Sequence, residues 1–204
     1  MTRTFARLAA TAALVAGVLS ASLIPASAAT SMDASAFSCR ELTEKEQSSD
    51  TSQKYGASVI LYWMAGYHHT EAQAAIVDFD NMLAEFKQTT DYCAKNPNIS
   101  VMTASEQFMG ENSVKATEKA IDLAILKCEA VNSTKADEVD GLGQILMWLA
   151  GYHTSVGEST MIDMDKFGKS TEELTVYCAG NPQIGLFTAS EKFMSEEAKE
   201  DAKE

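Results

Sequence analysis

Apolar residues recur along this chain every three or four positions, the pattern of helices that each bury one face. From Tyr55 to Tyr67, the side chains of Val59, Ile60, Trp63, Met64 and Tyr67 share a face, and Ile145, Trp148, Leu149 and Tyr152 set the same pattern later. Further on, Phe79, Met82, Phe86, Thr89 and Cys93 advance in steps of 3, 4, 3 and 4; Met164, Phe167, Thr171, Leu174 and Cys178 keep that rhythm. Asp78-Phe79-Asp80 and Asp163-Met164-Asp165 stand at the head of these two runs, where aspartate signals a helix N-cap. Both runs stop before Asn-Pro, at Asn96-Pro97 and Asn181-Pro182, because proline cannot continue a helix. Short closing helices are predicted over Val101–Met109 and Leu186–Met194, with Ala104, Phe108, Ala189 and Phe193 facing inward. The segment CRELTEKEQ from Cys39 predicts one or two helical turns, followed by a loop over SSDTSQ. Val114 to Lys127 places Ala120, Ile121, Ala124 and Ile125 on one side and predicts a connecting helix. No strand of useful length is predicted, and the fold class is all-α.

The pattern occurs twice because the sequence does. Trp63–Met109 returns as Trp148–Met194, 85 positions later without a gap, with 20 of 47 positions identical. A repeat of this kind marks a duplicated structural unit. A cysteine precedes each copy, Cys39 and Cys128, here 89 positions apart. The reading is two tandem helical bundles of about four helices each, over residues 29–112 and 128–194. A helical connector spans 113–127, and an acidic tail runs from 195 to 204.

The first 28 residues have the form of a secretory signal peptide. Arg3 and Arg7 precede an apolar run from Leu8 to Ile24, and Ala26-Ser27-Ala28 offers small residues for cleavage. Export favours oxidised cysteines. Four cysteines allow three pairings, and a duplicated unit that keeps its bond within each copy pairs Cys39 with Cys93 and Cys128 with Cys178. Zinc is the competing use, but no Cys-x-x-Cys pair is present. Loss of Arg3 and Arg7 takes the formal charge from −13 to −15, which disfavours nucleic acid and anionic membranes as partners. No other stretch has the roughly 18 apolar residues needed to insert in a bilayer. Full protonation of the carboxylates leaves 14 Lys and Arg, three His and the amino terminus, about +18.

An early cysteine, W-x-x-G-Y, D-x-D, Y-C-x-x-N-P and a closing A-x-E segment, in this order and found twice, resemble the HdeA/HdeB family of small periplasmic acid-stress chaperones. The resemblance covers Cys39 to about Met109 and Cys128 to about Met194. It implies a four-helix domain whose first and third helices share a disulfide, a periplasmic location, and ATP-independent binding of acid-unfolded client proteins after low pH loosens the fold. Members of the family usually carry one domain and pair as dimers. Two domains in one chain imply an intramolecular pseudo-dimer acting as a monomer, with a homodimer of the whole chain as the alternative.

Neither enzyme signatures nor a cofactor or metal motif is present: G-x-S-x-G, H-E-x-x-H and phosphate-binding glycine loops are missing. The candidate acid sensors are Asp78, Asp80, Asp163 and Asp165, because a capping carboxylate is stabilised in its charged form. His68 and His153, and His69 beside the first, follow the W-x-x-G-Y signature and are expected to respond near pH 6.5 or to sit against a helix C-terminus. Trp63, Tyr67, Trp148 and Tyr152 are core anchors that become client contacts on loosening, with Gly66 and Gly151 permitting close helix approach. The competing function is a constitutive periplasmic binding or envelope-interaction module without a switch.

Overall fold

The structure is a computed structural model that describes residues 31–69, 75–109, 120–133, 139–156 and 159–195. The expected signal peptide and the tail beyond Ser195 lie outside the described residues. The first half holds β1 (Ser31–Asp33), α1 (Cys39–Gln47), α2 (Thr51–Tyr67), β2 (Ile76–Val77), α3 (Phe79–Lys95) and α4 (Val101–Ser105). The second holds β3 (Ile121–Asp122), α5 (Cys128–Ser133), α6 (Val139–Val156), β4 (Met161–Asp163), α7 (Met164–Gly180) and α8 (Leu186–Met194).

Polar side chains set the helix starts. Ser38 and Glu41 form a reciprocal capping box on α1. Asp50 accepts from the Ser52 N–H and starts α2 at Thr51, four residues before the expected Tyr55. Asp78 caps α3 and Asp163 caps α7, whereas Asp80 and Asp165 lie inside the first turns and are not caps. Ser100 caps α4, which ends at Ser105 rather than Met109 because the chain turns at Glu106–Phe108.

Disulfides join α1 to α3 through Cys39–Cys93 and α5 to α7 through Cys128–Cys178. Beside each bond the chain is pinned again by backbone pairing. Cys39 N–H donates to Ile99 and Val101 N–H to Phe37; Cys128 and Leu186 repeat this with Ile184 and Leu126. The fold is thus all-α in class, two helical units with one bridge each.

Among the described residues, four short strands are a departure from the expectation of none, and they cross between the halves. β1 pairs antiparallel with β4, and β2 with β3. The registers are equivalent: Met32 faces Ile162 as Ile121 faces Val77, and Asp33 faces Met161 as Asp122 faces Ile76. Ala34 N–H then bonds to Thr160 and Leu123 N–H to Ala75, each at 2.8 Å. Each half therefore lends its leading segment to the strand before the other half's long helix. This is why residues 120–127 are not the expected helix. Asp122 accepts from the Ala124 N–H at 2.9 Å, turning the chain. Leu123, fully buried, leads into that turn.

The core follows from α2 and α6. Leu61, Tyr62 and Ala65 of α2 are buried as well as Ile60, Trp63 and Met64. A helix covered on nearly all sides has two partners; for α2 these are its own bundle and α6.

Candidate functional site

The interface between the halves is built where α2 meets α6. A Cβ on Gly66 would overlap the Trp148 carbonyl and come within 2.9 Å of the Tyr152 nitrogen. A Cβ on Gly151 would do the same to the Trp63 carbonyl and the Tyr67 nitrogen. The two glycines therefore let the backbones touch, and each faces the residue equivalent to the one facing its partner. Trp63 stacks on Tyr67 at 4.9 Å between ring centres, and Trp148 on Tyr152 at 5.6 Å. His69 crosses between halves, its ring meeting that of Trp148 edge-on at 5.0 Å.

At the end of this surface sit His68 and His153. His68 forms the C-cap of α2, as a helix-end reading expects, while His153 lies inside α6. Each ring touches a buried serine of the closing helix: His68 Nε2 lies 2.8 Å from Ser105 Oγ, and His153 Nε2 lies 2.9 Å from Ser190 Oγ. Ser105 donates its hydroxyl hydrogen to the Met102 carbonyl, and Ser190 donates to Phe187. Each imidazole is thereby the donor at Nε2. Tyr67 packs edge-on to His68, and Tyr152 and Phe187 pack around His153. This burial holds the pKa of both rings down to about 4. In the folded chain they do not respond near pH 6.5, as the unperturbed value led one to expect.

Asp78 accepts from the backbone N–H groups of Asp80 and Asn81, at 3.1 and 3.2 Å, and Asp163 accepts from Lys166 N–H at 2.9 Å. Asp80 and Asp165 are exposed. The cap and histidine positions are thus on different elements and form no common cluster.

Three groups escaped the sequence reading. The Ser105 and Ser190 partners occupy equivalent places in the repeated T-A-S-E, 37 residues after each histidine. Glu85 is 7% exposed on α3, and burial, helped by the negative charge of Asp78, pushes its pKa up to about 7. Its counterpart in α7 is Ser170, so only one half holds this carboxyl group. Asp33 Oδ1 accepts from Ser35 and, across the halves, from the Thr160 hydroxyl at 2.7 Å. Thr160 and Ser35 hold the Asp33 pKa below its usual value. The Ser38 hydroxyl does the same for Glu41, and Ser52 for Asp50.

Among the described residues, no cluster of three His, Cys, Asp or Glu side chains is placed to hold a metal ion, and no helix is long and apolar enough to cross a membrane. The HdeA/HdeB family model matches the chain twice, over residues 8–103 and 104–188. The chain belongs to the HdeA/HdeB family. It is a duplicated member, with one family unit in each half, and the family is one of periplasmic acid-stress chaperones rather than enzymes. Its two disulfides fit an oxidising compartment. No curated protein and no solved structure matches it.

Proposed function

We propose that this HdeA/HdeB protein is an acid-activated, ATP-independent holdase of the periplasm, closed at neutral pH by docking of its two halves. The observation that carries the reading is the pair of neutral histidines, His68 half-buried and His153 buried, at equivalent places beside the α2–α6 interface. A histidine that resists protonation when folded but takes a proton at pH 6.5 when exposed favours the open form in acid. Its contribution to stability is complete above pH 6.5, is lost as pH falls to about 4, and is constant below. Each ring is worth about 3 kcal/mol over that window, against a total stability of about 5–15 kcal/mol for an ordinary domain.

Glu85 works in the other direction. Its raised pKa means that the folded chain gains stability as pH falls from about 7 to 4.5, offsetting about one of the two histidines. Further down, Glu41, Asp33 and Asp50, whose pKa values are lowered, lose their stabilising charge as pH passes through the carboxylate range. Neutralising 29 acidic residues leaves only positive charge on the chain, which adds self-repulsion.

Protonation of His68 and His153 puts a poorly solvated charge against α4 and α8, the last helices of each half, so these lift first from α2 and α6. The surface then offered to unfolded clients includes Trp63, Tyr67, Trp148 and Tyr152, while the disulfides hold each half compact. The test is suppression of aggregation of an acid-labile client. Strong suppression at pH 2 to 3 and little at pH 7 supports the holdase; equal activity at both, or none, refutes it.

A further inference from the structure

Where the halves meet, the second half holds a half-open cavity of about 140 Å³ that its sequence does not fill. Its deep wall is apolar: Met147, Ile162, Phe167 and Met194 of the second half, closed on one side by Trp63 from the first. Thr154, Ser159 and Ser170 bring hydroxyls to the lining, and that of Thr154 is spent on the Ala150 carbonyl. Ser170 is 5% exposed, and its hydroxyl makes no hydrogen bond to any described residue. Its oxygen is still reachable from the cavity, so a group placed there can pair with it.

The repeat supplies the comparison. At the equivalent places the first half has Tyr62 for Met147 and Glu85 for Ser170, both larger and both buried. The Tyr62 ring packs edge-on against Phe86 at 4.9 Å, between α2 and α3. The second half has therefore exchanged two bulky side chains for smaller ones and left a hydroxyl facing the space. An apolar cavity of about 150 Å³ holds one benzene ring, so this one has room for a single ring or a short branched chain. Asp163 and Lys166, of opposite sign, both line the cavity and give it no preference for charge.

We infer that this cavity is a binding site for one small neutral amphiphile, a six-membered ring or similar apolar body carrying one hydroxyl that pairs with Ser170. Binding is one per chain despite the duplication, because the first half carries the larger Tyr62 and Glu85 at the equivalent places.

Isothermal calorimetry at pH 7 tests this on the intact, docked chain, so the result does not depend on whether the chain opens in acid. Phenol is the probe and toluene the control. Phenol is expected to bind at one site per chain with a Kd in about the millimolar range, about fivefold more tightly than toluene, as one hydrogen bond predicts. Met147→Tyr, which installs the residue of the first half, should abolish binding while leaving near-UV circular dichroism intact. Ser170→Ala should keep toluene binding and remove the preference for phenol. Should Met147→Tyr not fold, Ser170→Ala alone decides. Absence of saturable heat, two sites per chain, binding that survives in a folded Met147→Tyr, or an unchanged preference in Ser170→Ala would each overturn the inference, leaving a space filled by water.

Discussion

A methyl group added at Gly66 or Gly151 is driven into a main-chain carbonyl of the opposing helix, which cannot swing aside as a flexible side chain would. Overpacking of this kind costs about 1–3 kcal/mol, and here the strain falls on the docking surface. Gly66→Ala and Gly151→Ala should therefore destabilise to a similar degree, each visible as a lower urea midpoint and weaker tryptophan signal in near-UV circular dichroism at pH 7. Glu85 gives a prediction of the opposite sign. Glu85→Gln removes a carboxylate that burial and Asp78 resist ionising, so it should stabilise at pH 8 by up to about 3 kcal/mol, with the gain gone by pH 4.5. Urea unfolding at both pH values measures it. The duplication made Gly66, Gly151, His68 and His153 conspicuous in the sequence. It could not reveal Glu85, because an acidic residue on a helix face reads as solvated until the packing around it is known. The depressed histidines were hidden for the same reason: nothing local to Tyr-His says that a serine 37 residues away will bury the ring.

At the level of elements, periodicity alone located α3 and α7 well, since Asp78, Asp163 and the two Asn-Pro pairs mark both ends. It failed for the crossing strands. Ser31–Asp33 and Ile121–Asp122 are two or three residues long, too short for alternation to show, and their pairing is set by the other half. An offset of 89 does extend from Cys39 and Cys128 back to Asp33 and Asp122, which was the available sign that these leading segments belong to the fold. The disulfides join α1 to α3 and α5 to α7 across 54 and 50 positions, and the chain-entropy model gives each about 4 kcal/mol. Reduction should leave a chain that opens at higher pH and unfolds fully in acid, where the oxidised chain stays compact. Far-UV circular dichroism at pH 2, with and without reductant, distinguishes the two; equal helix content would contradict the role given to the bonds.

In the whole molecule, α2 and α6 dock within a single chain, and the strands exchanged between halves reinforce that docking. On the proposed reading, opening is an intramolecular event. Its pH midpoint should stay constant over a hundredfold dilution, whereas a homodimer that dissociates on activation would open at higher pH when dilute. The asymmetry between halves also acts at this scale, because Glu85 resists acid in the first half and Ser170 does not in the second. The central claim is that His68 and His153 hold the closed form until they are protonated. Near-UV circular dichroism and the fluorescence of a dye that binds apolar surface, followed against pH, compare the natural chain with His68→Gln/His153→Gln, which keeps a donor near Nε2 but cannot take a proton. The account predicts loss of tertiary signal and gain of dye binding in both, with the midpoint of the double variant lower by about one pH unit or more. An unchanged midpoint would contradict it.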